Sequence, residues 1–584
     1  MITRQRPFIV TTVATLLATT AFAQDGPWEI MVSTLDTTVP GVDGAVWVPN
    51  QWNNPTIDGN GNVFFRGQIG GSGITTANSR ILVRGQAGAW TILARDGSPV
   101  PGNTPAGYVW NTTTGINGVS GSNSMSSNGG VMLTGNINGA GNTTLLDTAI
   151  YWAAADGTTS MLVRESAPLP DGSGAIMSGS MSAGAGVQFN DAGKGIYSTA
   201  LTGGNSVTTN NAAVITISPS GTAVVFRKGS AAPGMTDGTT MTPDTFGLNL
   251  SGDDVAFGGT LVGGAVTTSN DKVLVTSAGA PAGQLRVVAR EGMSVPGIEG
   301  WTFKSTSSFS PPARCLLPDG CVVFSATVEG AGVTAADDTV FLREHNGVCT
   351  VVLREGTAIS GYTDGVIANW NFSGMTMAAD GTIFVQGSLT AATNPTFVAM
   401  VLPNGTIVPL MRQGESHPSL AAGVTFASMN GSTHQALNNT GSVAFVTPLS
   451  SGTALWAWDA TNGLRMLAAT GDTSFTGTAA TAITLIGGTG QNGNFGSTSL
   501  SENGWFVCKV SDSVAQIHTI VRKRLASAAP PCPADINDDS LVDALDLGAV
   551  LAGWEGSGSA DVDGDGVVDA TDLSAVLAAW GACQ

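Results

Sequence analysis

Long apolar segments and charged residues are both scarce in this 584-residue sequence. After the first 23 residues, no stretch approaches the roughly 18 consecutive apolar residues that a membrane-spanning helix requires. Charged residues make up 11% of the chain and aromatic residues 6%, whereas glycine occurs 79 times. This composition is typical of many short strands joined by tight turns, and a hydrophobic content of 42% argues against a disordered chain.

The common catalytic motifs are also missing. The four histidines do not stand in a metal-binding spacing such as HxxxH, and the chain has neither a GxSxG elbow nor a P-loop. The net charge of −19 includes eleven acids that lie after residue 525, so the preceding part is only mildly acidic. We therefore expect neither nucleic acid nor an anionic membrane surface as a partner.

Residues 1–23 have the features of a cleaved signal peptide. Two arginines precede an apolar run from Phe8 to Leu17, and small residues flank Phe22 at the predicted cleavage site. We predict cleavage near Ala23 and a mature chain that is secreted, either extracellular or at the cell surface. No later segment predicts a transmembrane anchor.

One motif recurs along the chain, in which an apolar strand ends in Arg and leads into a Gly- or Pro-containing turn. Eight copies occur at intervals of about sixty residues, the first and last of them degenerate; they begin at Leu35, Ala94, Val163, Phe226, Ala289, Leu353, Met411 and Ala468. Self-similarity of this kind indicates a repeat architecture.

A second motif lies about thirty residues into each unit, where a Gly or Asp turn precedes a β-branched and aromatic run. Its eight copies begin at Asp58, Ser126, Asn190, Ser251, Leu317, Ala378, Asn438 and Ser501. Strands counted around both motifs number about four per unit, as in a propeller blade. We predict an all-β fold, an eight-bladed β-propeller over residues 24–525, with a seven-bladed ring as the alternative.

Residues 438–445 spell the element NxxGxxAF in full, and the other copies spell it in part. On this element, residues 30–525 resemble the bacterial tandem-repeat family that is named for it. The resemblance implies an exported surface or matrix protein, and it supplies no catalytic residues.

Arginine recurs in six units, and we expect it to connect each unit to its neighbour rather than to line an axial cavity. The arginines are Arg95, Arg164, Arg227, Arg290, Arg354 and Arg412. Acids that follow them are the expected local partners: Asp96, Glu165, Glu291 and Glu355. Aromatic pairs after the turn are expected in the blade cores, with sugar stacking as the alternative: Trp47 and Trp52, Tyr108 and Trp110, Trp301 and Phe303, Trp370 and Phe372.

Two twelve-residue acidic loops follow a short linker at residues 526–531. Each has oxygen side chains at positions 1, 3, 5, 9 and 12 and offers a backbone carbonyl at position 7, which is the EF-hand arrangement for Ca²⁺. The sequence therefore predicts two calcium sites, and the second should bind more tightly because Ser540 replaces glycine at position 6 of the first. The predicted ligands are Asp535, Asn537, Asp539, Leu541, Asp543 and Asp546, then Asp561, Asp563, Asp565, Val567, Asp569 and Asp572.

Each loop leads into a predicted helix whose apolar residues recur at helical spacing. We expect the two apolar faces to pack on each other: Leu547, Val550, Leu551 and Trp554 against Leu573, Val576, Leu577 and Trp580. Residues 532–584 resemble dockerins, in particular the type with flanking cysteines and a terminal Trp-Gly-x-Cys. The resemblance implies a small α-helical EF-hand-loop pair and a cohesin-like or cell-surface receptor. Loop positions 10 and 11 hold Ala544-Leu545 and Ala570-Thr571, where the family often has Ser-Thr.

Six cysteines in an exported chain allow disulfides, and fifteen connectivities exist for six. We predict Cys532–Cys583, which brackets the acidic tail, and Cys315–Cys321, which flanks one turn. Cys349 and Cys508 are left over, and a buried free thiol is expected at Cys508.

These observations favour an exported, non-catalytic propeller that is attached or displayed through a calcium-dependent module, with a binding or surface-assembly role. Acids from separate blades can meet at the axis without any sequence signature, and dockerins often carry polysaccharide-degrading enzymes. The alternative is therefore a polysaccharide-active enzyme, either a glycoside hydrolase or a lyase, with polysaccharide as its ligand.

Overall fold

A computed structural model describes residues 25–36, 38–49, 52, 55–102, 107–111, 116–118, 125–139, 148–178, 188–244, 247–306, 309, 315–370, 376–390, 393–429, 435–473, 480–484, 499–515, 517–525, 534, 536, 541–554, 556, 560, 562 and 567–582. The chain divides into two compact units. One is formed by Gly26–Ser527 and the other contains Ala528–Gln584. The predicted signal peptide and its cleavage site lie outside the described residues.

The larger unit is an eight-bladed β-propeller, as predicted, so the seven-bladed alternative is wrong. Its first strand, β1 (Glu29–Ser33), completes the last blade, and each of blades 1 to 7 is built from consecutive strands. Blade 1 contains β2 (Ala45–Trp47), β3 (Thr56–Ile57), β4 (Val63–Gly71), β5 (Arg80–Gln86) and β6 (Ala89–Arg95). Blade 2 contains β7 (Val109–Trp110), β8 (Ile116–Gly118), β9 (Val131–Asn138), β10 (Thr148–Ala153) and β11 (Thr159–Arg164).

The middle blades repeat this plan. Blade 3 contains β12 (Ile176–Ser178), β13 (Gln188–Phe189), β14 (Gly195–Thr202), β15 (Ala212–Ser218) and β16 (Gly221–Arg227). Blade 4 contains β17 (Thr240–Pro243), β18 (Asn249–Ser251), β19 (Asp254–Val262), β20 (Lys272–Thr276) and β21 (Arg286–Arg290). Blade 5 contains β22 (Trp301–Phe303), β23 (Val322–Gly330), β24 (Thr339–His345) and β25 (Val348–Arg354).

The remaining blades bring the chain back to its start. Blade 6 contains β26 (Ile367–Trp370), β27 (Thr376–Met377), β28 (Ile383–Leu389), β29 (Thr396–Val401) and β30 (Ile407–Arg412). Blade 7 contains β31 (Gln435–Leu437), β32 (Val443–Pro448), β33 (Thr453–Asp459) and β34 (Gly463–Ala469). Blade 8 contains β35 (Ala482–Thr484), β36 (Trp505–Asp512), β37 (Ile517–Arg524) and β1.

The ring closes through antiparallel pairing of β1 with β37, which aligns Glu29 with Arg522. The Arg522 guanidinium donates to Glu29 Oε2 from Nε at 2.8 Å and from Nη2 at 2.7 Å. It also lies 4.5 Å from the centre of the Trp505 ring. One blade therefore joins strands from both ends of the propeller, and this pairing closes the ring.

The hydrophobic core lies between consecutive blades because both faces of the central strands are covered. In β10 all six residues are buried, which matches its largely apolar sequence TAIYWA. The core between blades 4 and 5 contains Leu274, Phe303 and Phe324, and equivalent clusters separate the other blades. Burial on both faces explains why a central strand such as β10 is a largely apolar run rather than an alternating pattern.

The smaller unit contains a two-stranded sheet and two short helices. Its elements are β38 (Leu541–Val542), α1 (Ala544–Ala552), α2 (Ala570–Ala578) and β39 (Gly581–Ala582). The strands pair antiparallel, so that Leu541 lies opposite Ala582 and Val542 opposite Gly581. Within the described residues, neither helix has the length that crossing a membrane requires.

Candidate functional site

The two acidic loops enter their helices through the same capping arrangement. Asp543 Oδ1 accepts the backbone N–H of Leu545 at 2.7 Å, and Asp569 Oδ1 accepts that of Thr571 at 2.7 Å. Each aspartate thus caps a helix N-terminus, where its negative charge is also favoured by the helix dipole. The two copies of the sequence pattern therefore fold locally in the same way.

The position-12 carboxylates, Asp546 and Asp572, are fully buried and turn back into their loops. Asp546 accepts the N–H of Ile536 at 2.7 Å and that of Asp543 at 2.9 Å. Asp572 accepts the equivalent N–H groups of Val562 at 2.6 Å and Asp569 at 2.7 Å. Each carboxylate therefore connects loop positions 2 and 9, and a carboxylate is the kind of oxygen ligand that a hard cation prefers.

The other predicted ligands divide between described and undescribed residues. Leu541, at position 7 of the first loop, lies in β38, and its counterpart Val567 is half exposed. Six predicted ligands lie outside the described residues: Asp535, Asn537, Asp539, Asp561, Asp563 and Asp565. The same holds for Cys532 and Cys583, so their predicted disulfide stays a prediction.

The predicted packing of the two apolar helix faces is only partly right. Val550 and Val576 are buried with Val542 and Val568, and Leu547 and Leu573 pack against this cluster. Four residues predicted in the same interface are instead exposed: Leu551 (58%), Trp554 (42%), Leu577 (54%) and Trp580 (50%). Each helix has only nine residues, so few positions on it can face the small core.

The recurrent arginines bind their own blade and, in several copies, the segment that joins it to the preceding blade, so the prediction that they connect neighbouring units is right in part. Arg227 Nε donates to Asn210 O of blade 3 at 3.2 Å, and its Nη1 donates at 2.7 Å to Asp171 Oδ2, in the segment that joins blades 2 and 3. In four other copies the arginine Nε likewise donates to a backbone carbonyl just before the strand that pairs with its own strand. These are Arg95, Arg290, Arg354 and Arg412. The arginine therefore connects the outer strand of a blade to the loop before the adjacent strand of the same blade.

The acids after the arginines also have other partners than predicted. Glu165 Oε2 accepts the N–H of Thr148 at 3.0 Å, and Glu291 Oε2 accepts that of Lys272 at 3.0 Å. Glu355 does the same for Thr339 at 3.3 Å, whereas Asp96 accepts from Arg80 Nε at 2.8 Å. These carboxylates thus bind the start of the adjacent strand of the same blade.

The second motif makes the connections between blades. Asn438 Oδ1 accepts the N–H groups of Thr440 at 3.2 Å and Ser442 at 2.9 Å, which shapes the turn as an Asx motif. Asp58 does the same for Asn60 at 2.9 Å and Asn62 at 2.7 Å. Burial raises the pKa of Asp58, and the hydrogen bonds from Asn62 and Asn60 counteract this.

From these turns, hydrogen bonds reach the turn of the next blade and continue across the closure of the ring. They are Gly59 N to Ser127 O, Ser127 N to Asp191 Oδ1, Asn190 Nδ2 to Gly252 O, Ala379 N to Asn439 Oδ1, Asn438 Nδ2 to Ser501 O and Asn503 Nδ2 to Gly59 O. Hydrogen bonds between the NxxGxxAF-like turns are therefore the contacts that repeat from blade to blade.

The prediction that the recurrent aromatics belong to the cores is confirmed for those that are buried: Trp47, Trp52, Trp110, Phe303 and Trp370. Tyr108 and Trp301 are half-buried, and each lies 4.9 Å from an arginine guanidinium, those of Arg164 and Arg354. Phe372 lies outside the described residues. The aromatic rings that the structure describes thus either pack in the blade cores or form cation–π contacts with arginine.

The predicted Cys315–Cys321 disulfide is wrong, because both thiols are free. Cys315 packs in the core between blades 4 and 5, whereas Cys321 packs in the core between blades 5 and 6. Two side chains on opposite sides of one blade cannot form a disulfide. Cys349 and Cys508 are free and buried as well, so the expectation for Cys508 is confirmed.

A cluster that the sequence did not reveal surrounds Cys321. Its Sγ lies 3.1 Å from Asp319 Oδ2 and 2.9 Å from His345 Nδ1. Burial, and then the Asp319 carboxylate, raises the pKa of the Cys321 thiol to about 11. Arg343 Nη2 donates to Asp319 Oδ2 at 2.6 Å. Cys321 and His345 are 24 residues apart, so only the pairing of β23 with β24 brings them together.

The fold and these contacts define a β-propeller protein. The family whose description is "Family of unknown function (DUF7453)" matches residues 11–402, and the chain belongs to that family. No curated protein matches the sequence.

Solved structures with some similarity include prolyl oligopeptidase B from Galerina marginata, at 10% identity and a TM-score of 0.35 over 73% of this chain. The match spans 51% of that enzyme, about half its length. The polysaccharide lyase Uly1 is 9% identical, with a TM-score of 0.28 over 85% of this chain and 95% of its own. A Trypanosoma rangeli sialidase is 10% identical, with a TM-score of 0.23 over 62% and 57%. Similarities this low say nothing about the activity of this chain.

Proposed function

We propose that the chain is an exported, non-catalytic β-propeller protein that is displayed through a dockerin-like, calcium-binding C-terminal unit. The propeller serves binding or surface assembly, and a cohesin-like or cell-surface receptor holds the C-terminal unit. The signal-peptide features of residues 1–23 support export.

The observation that carries the proposal is the matched environment of Asp546 and Asp572. Both carboxylates are fully buried, yet the smaller unit has only a small apolar core to offset their desolvation. Ca²⁺ in each loop would compensate the clustered negative charge, held by residues 535, 537, 539, 541, 543 and 546 and by residues 561, 563, 565, 567, 569 and 572. Folding of this unit would then depend on the metal.

Exposed residues on the two helices support a protein receptor. Loop positions 10 and 11, Ala544-Leu545 and Ala570-Thr571, are exposed, and the Leu545 side chain is 65% exposed. Leu551, Trp554, Leu577 and Trp580 add further exposed apolar area to the same helices and their ends. Large apolar side chains that are exposed on so small a unit support the proposal of a partner-binding surface.

The buried acids of the propeller support a non-catalytic role. Asp58 shapes a turn, Glu165 and Glu291 bind strand ends, and Glu344 forms a bidentate pair with Arg286. Asp459 accepts the N–H groups of a hairpin turn and the Arg465 guanidinium. Each of these carboxylates thus has a structural partner, whereas a catalytic acid needs a substrate-facing one.

Calorimetric titration of the chelator-treated full chain with Ca²⁺ tests the proposal. We expect two unequal sites, loss of the tighter one in Asp561→Ala, and loss of helical circular dichroism on chelation while the β signal persists. Glu555→Gln removes an acid that is not a predicted ligand and should leave both sites intact.

Absence of calcium heat, or a helical signal that survives excess chelator, would overturn the calcium-dependent module. Release of reducing ends from polysaccharides by the purified chain would overturn the non-catalytic role. The variants Leu545→Asp and Leu577→Asp should fold and bind Ca²⁺ but lose binding to a cohesin probe.

A further inference from the structure

We propose that Asp319, Cys321 and His345 form a zinc site at one end of blade 5, with a fourth coordination position open to solvent. The site belongs to the propeller and does not rest on the calcium loops. Among the described residues, this is the one group of three metal-binding side chains whose ligand atoms all lie within 4.8 Å of one another.

The backbone places the three residues on two adjoining turns. Asp319 lies in the turn that precedes β23, where its Oδ1 accepts the Cys321 N–H at 3.0 Å. Val322 pairs with Glu344, which brings Cys321 to the end of β24 where His345 lies. Asn346 and Gly347 then turn the chain with φ of 50° and 84°, as a two-residue hairpin requires. Two hydrogen-bonded turns therefore fix the backbone positions of the three ligand residues before any metal binds.

The two ligand separations that involve the Cys321 sulfur are close to those of a tetrahedral site. Zinc bonds of about 2.0–2.3 Å place neighbouring ligand atoms about 3.5 Å apart. The Sγ–Oδ2 and Sγ–Nδ1 distances are 3.1 Å and 2.9 Å. Binding requires these atoms to separate by roughly half an ångström. The exposed Asp319 and His345 side chains can make this adjustment while Cys321, 1% exposed, stays in place.

The combination of ligands selects the metal. Thiolate, imidazole and carboxylate together suit borderline-soft Zn²⁺, whereas Ca²⁺ and Mg²⁺ take oxygen ligands. On binding, the S–H bond of Cys321 breaks, its proton leaves to the solvent and the sulfur bonds to zinc. The thiolate and the Asp319 carboxylate then balance the charge of the ion, and water completes the coordination.

A nucleophilic Cys–His pair is the alternative use of the same contact. Its thiol would have to reach a substrate, but Cys321 is buried and a carboxylate lies directly against its sulfur. A neighbouring negative charge disfavours the thiolate, whereas a bound cation stabilises it. The geometry therefore favours a metal ligand over a nucleophile.

Two neighbouring side chains would orient the ligands. Arg343 holds the Asp319 carboxylate through Oδ2 at 2.6 Å. Asn346 Nδ2 lies 2.8 Å from His345 Nε2. With zinc on Nδ1, Nε2 carries the proton, and a flip of the Asn346 carboxamide supplies the oxygen that accepts it. Such outer contacts fix the tautomer and the ring orientation of a ligating histidine.

Titration of the full chain with Co²⁺ tests this site, with the calcium loops saturated by Ca²⁺. We expect one Co²⁺ per chain, a near-ultraviolet thiolate-to-cobalt band, and displacement of cobalt by one equivalent of Zn²⁺. The band should disappear in Cys321→Ser. In Asp319→Asn and His345→Gln, the affinity for Co²⁺ should fall at least about tenfold. Loss of a residue that only contacts a metal ligand already lowers affinity by about this factor, and loss of a ligand should cost no less.

Cys315→Ser is the matched control, because it removes a buried thiol that flanks the same turn and packs on the other side of the blade. It should keep the band, and all variants should keep the β circular dichroism of the propeller. Failure of the wild-type chain to bind Co²⁺ or Zn²⁺ would overturn the proposal. A band that persists in Cys321→Ser, or is lost in Cys315→Ser, would overturn it equally.

Discussion

Removal of either member of the Arg286–Glu344 ion pair should destabilise the propeller far more than removal of a surface pair. Arg286 lies on β21 of blade 4 and Glu344 on β24 of blade 5. The guanidinium donates to Oε1 at 2.8 Å and to Oε2 at 2.9 Å, and its Nε donates to Ala278 O at 2.6 Å. The Glu344 side chain is 1% exposed, against 21% for Arg286.

The magnitude follows from what each substitution leaves behind. Arg286→Ala leaves a buried carboxylate without its cation, which typically costs about 3–5 kcal/mol. Glu344→Ala leaves a guanidinium that still reaches solvent and Ala278, so its cost should be smaller. In the double variant the two costs should not add, because the second substitution removes the charge that the first left unpaired.

The assay is thermal unfolding followed by β circular dichroism. A cooperative unit spanning Gly26–Ser527 has an unfolding entropy of about 1 kcal/mol per K, so Arg286→Ala should lower the Tm by about 3–5 °C. Lys194→Ala is the matched control, since it breaks the inter-blade pair with Asp253, whose side chain is 94% exposed. The control should cost less than about 1 kcal/mol. Equal shifts in Arg286→Ala and the control, or an additive double variant, would refute the reasoning.

Three further predictions concern the turns, the pH dependence and the tail. Asn438→Ala should cost about 1–3 kcal/mol, because it removes a buried amide that shapes its turn and reaches Ser501 O at 3.1 Å. Asn404→Ala, at an exposed hairpin, should cost less, and equal urea midpoints would contradict the role of the inter-blade turns. Burial and the charge of Lys509 lower the pKa of His518, so the unfolded chain takes up this proton first as the pH falls below about 6.5. Stability should therefore decline from about pH 7.5 to about pH 5.5, and less steeply in His518→Gln; identical slopes would rule the histidine out. Peptide mapping of the exported protein should find Cys532 linked to Cys583. This disulfide should stabilise the folded tail by about 4 kcal/mol. Labelling of both thiols would exclude it.

The two repeat motifs were sufficient to predict the eight blades. Each blade needs a turn, an apolar central strand and an outer strand, and these local requirements recur in the sequence at a spacing of about sixty residues. The doubled acidic loops likewise predicted two helices, and α1 and α2 begin directly after Asp543 and Asp569. Local hydrogen bonding and burial of apolar runs are properties of short segments, so one sequence can reveal them.

Contacts between segments were decided only by the tertiary structure. The motifs showed that an arginine and a polar turn recur, but not that Arg227 binds its own blade while Asn438 of the turn reaches the next. Spacing in the sequence also suggested that Cys315 pairs with Cys321, whereas the blade places them in different cores. Cys321 instead meets His345, because strand register sets which distant residues lie side by side, and register depends on the packing of whole sheets.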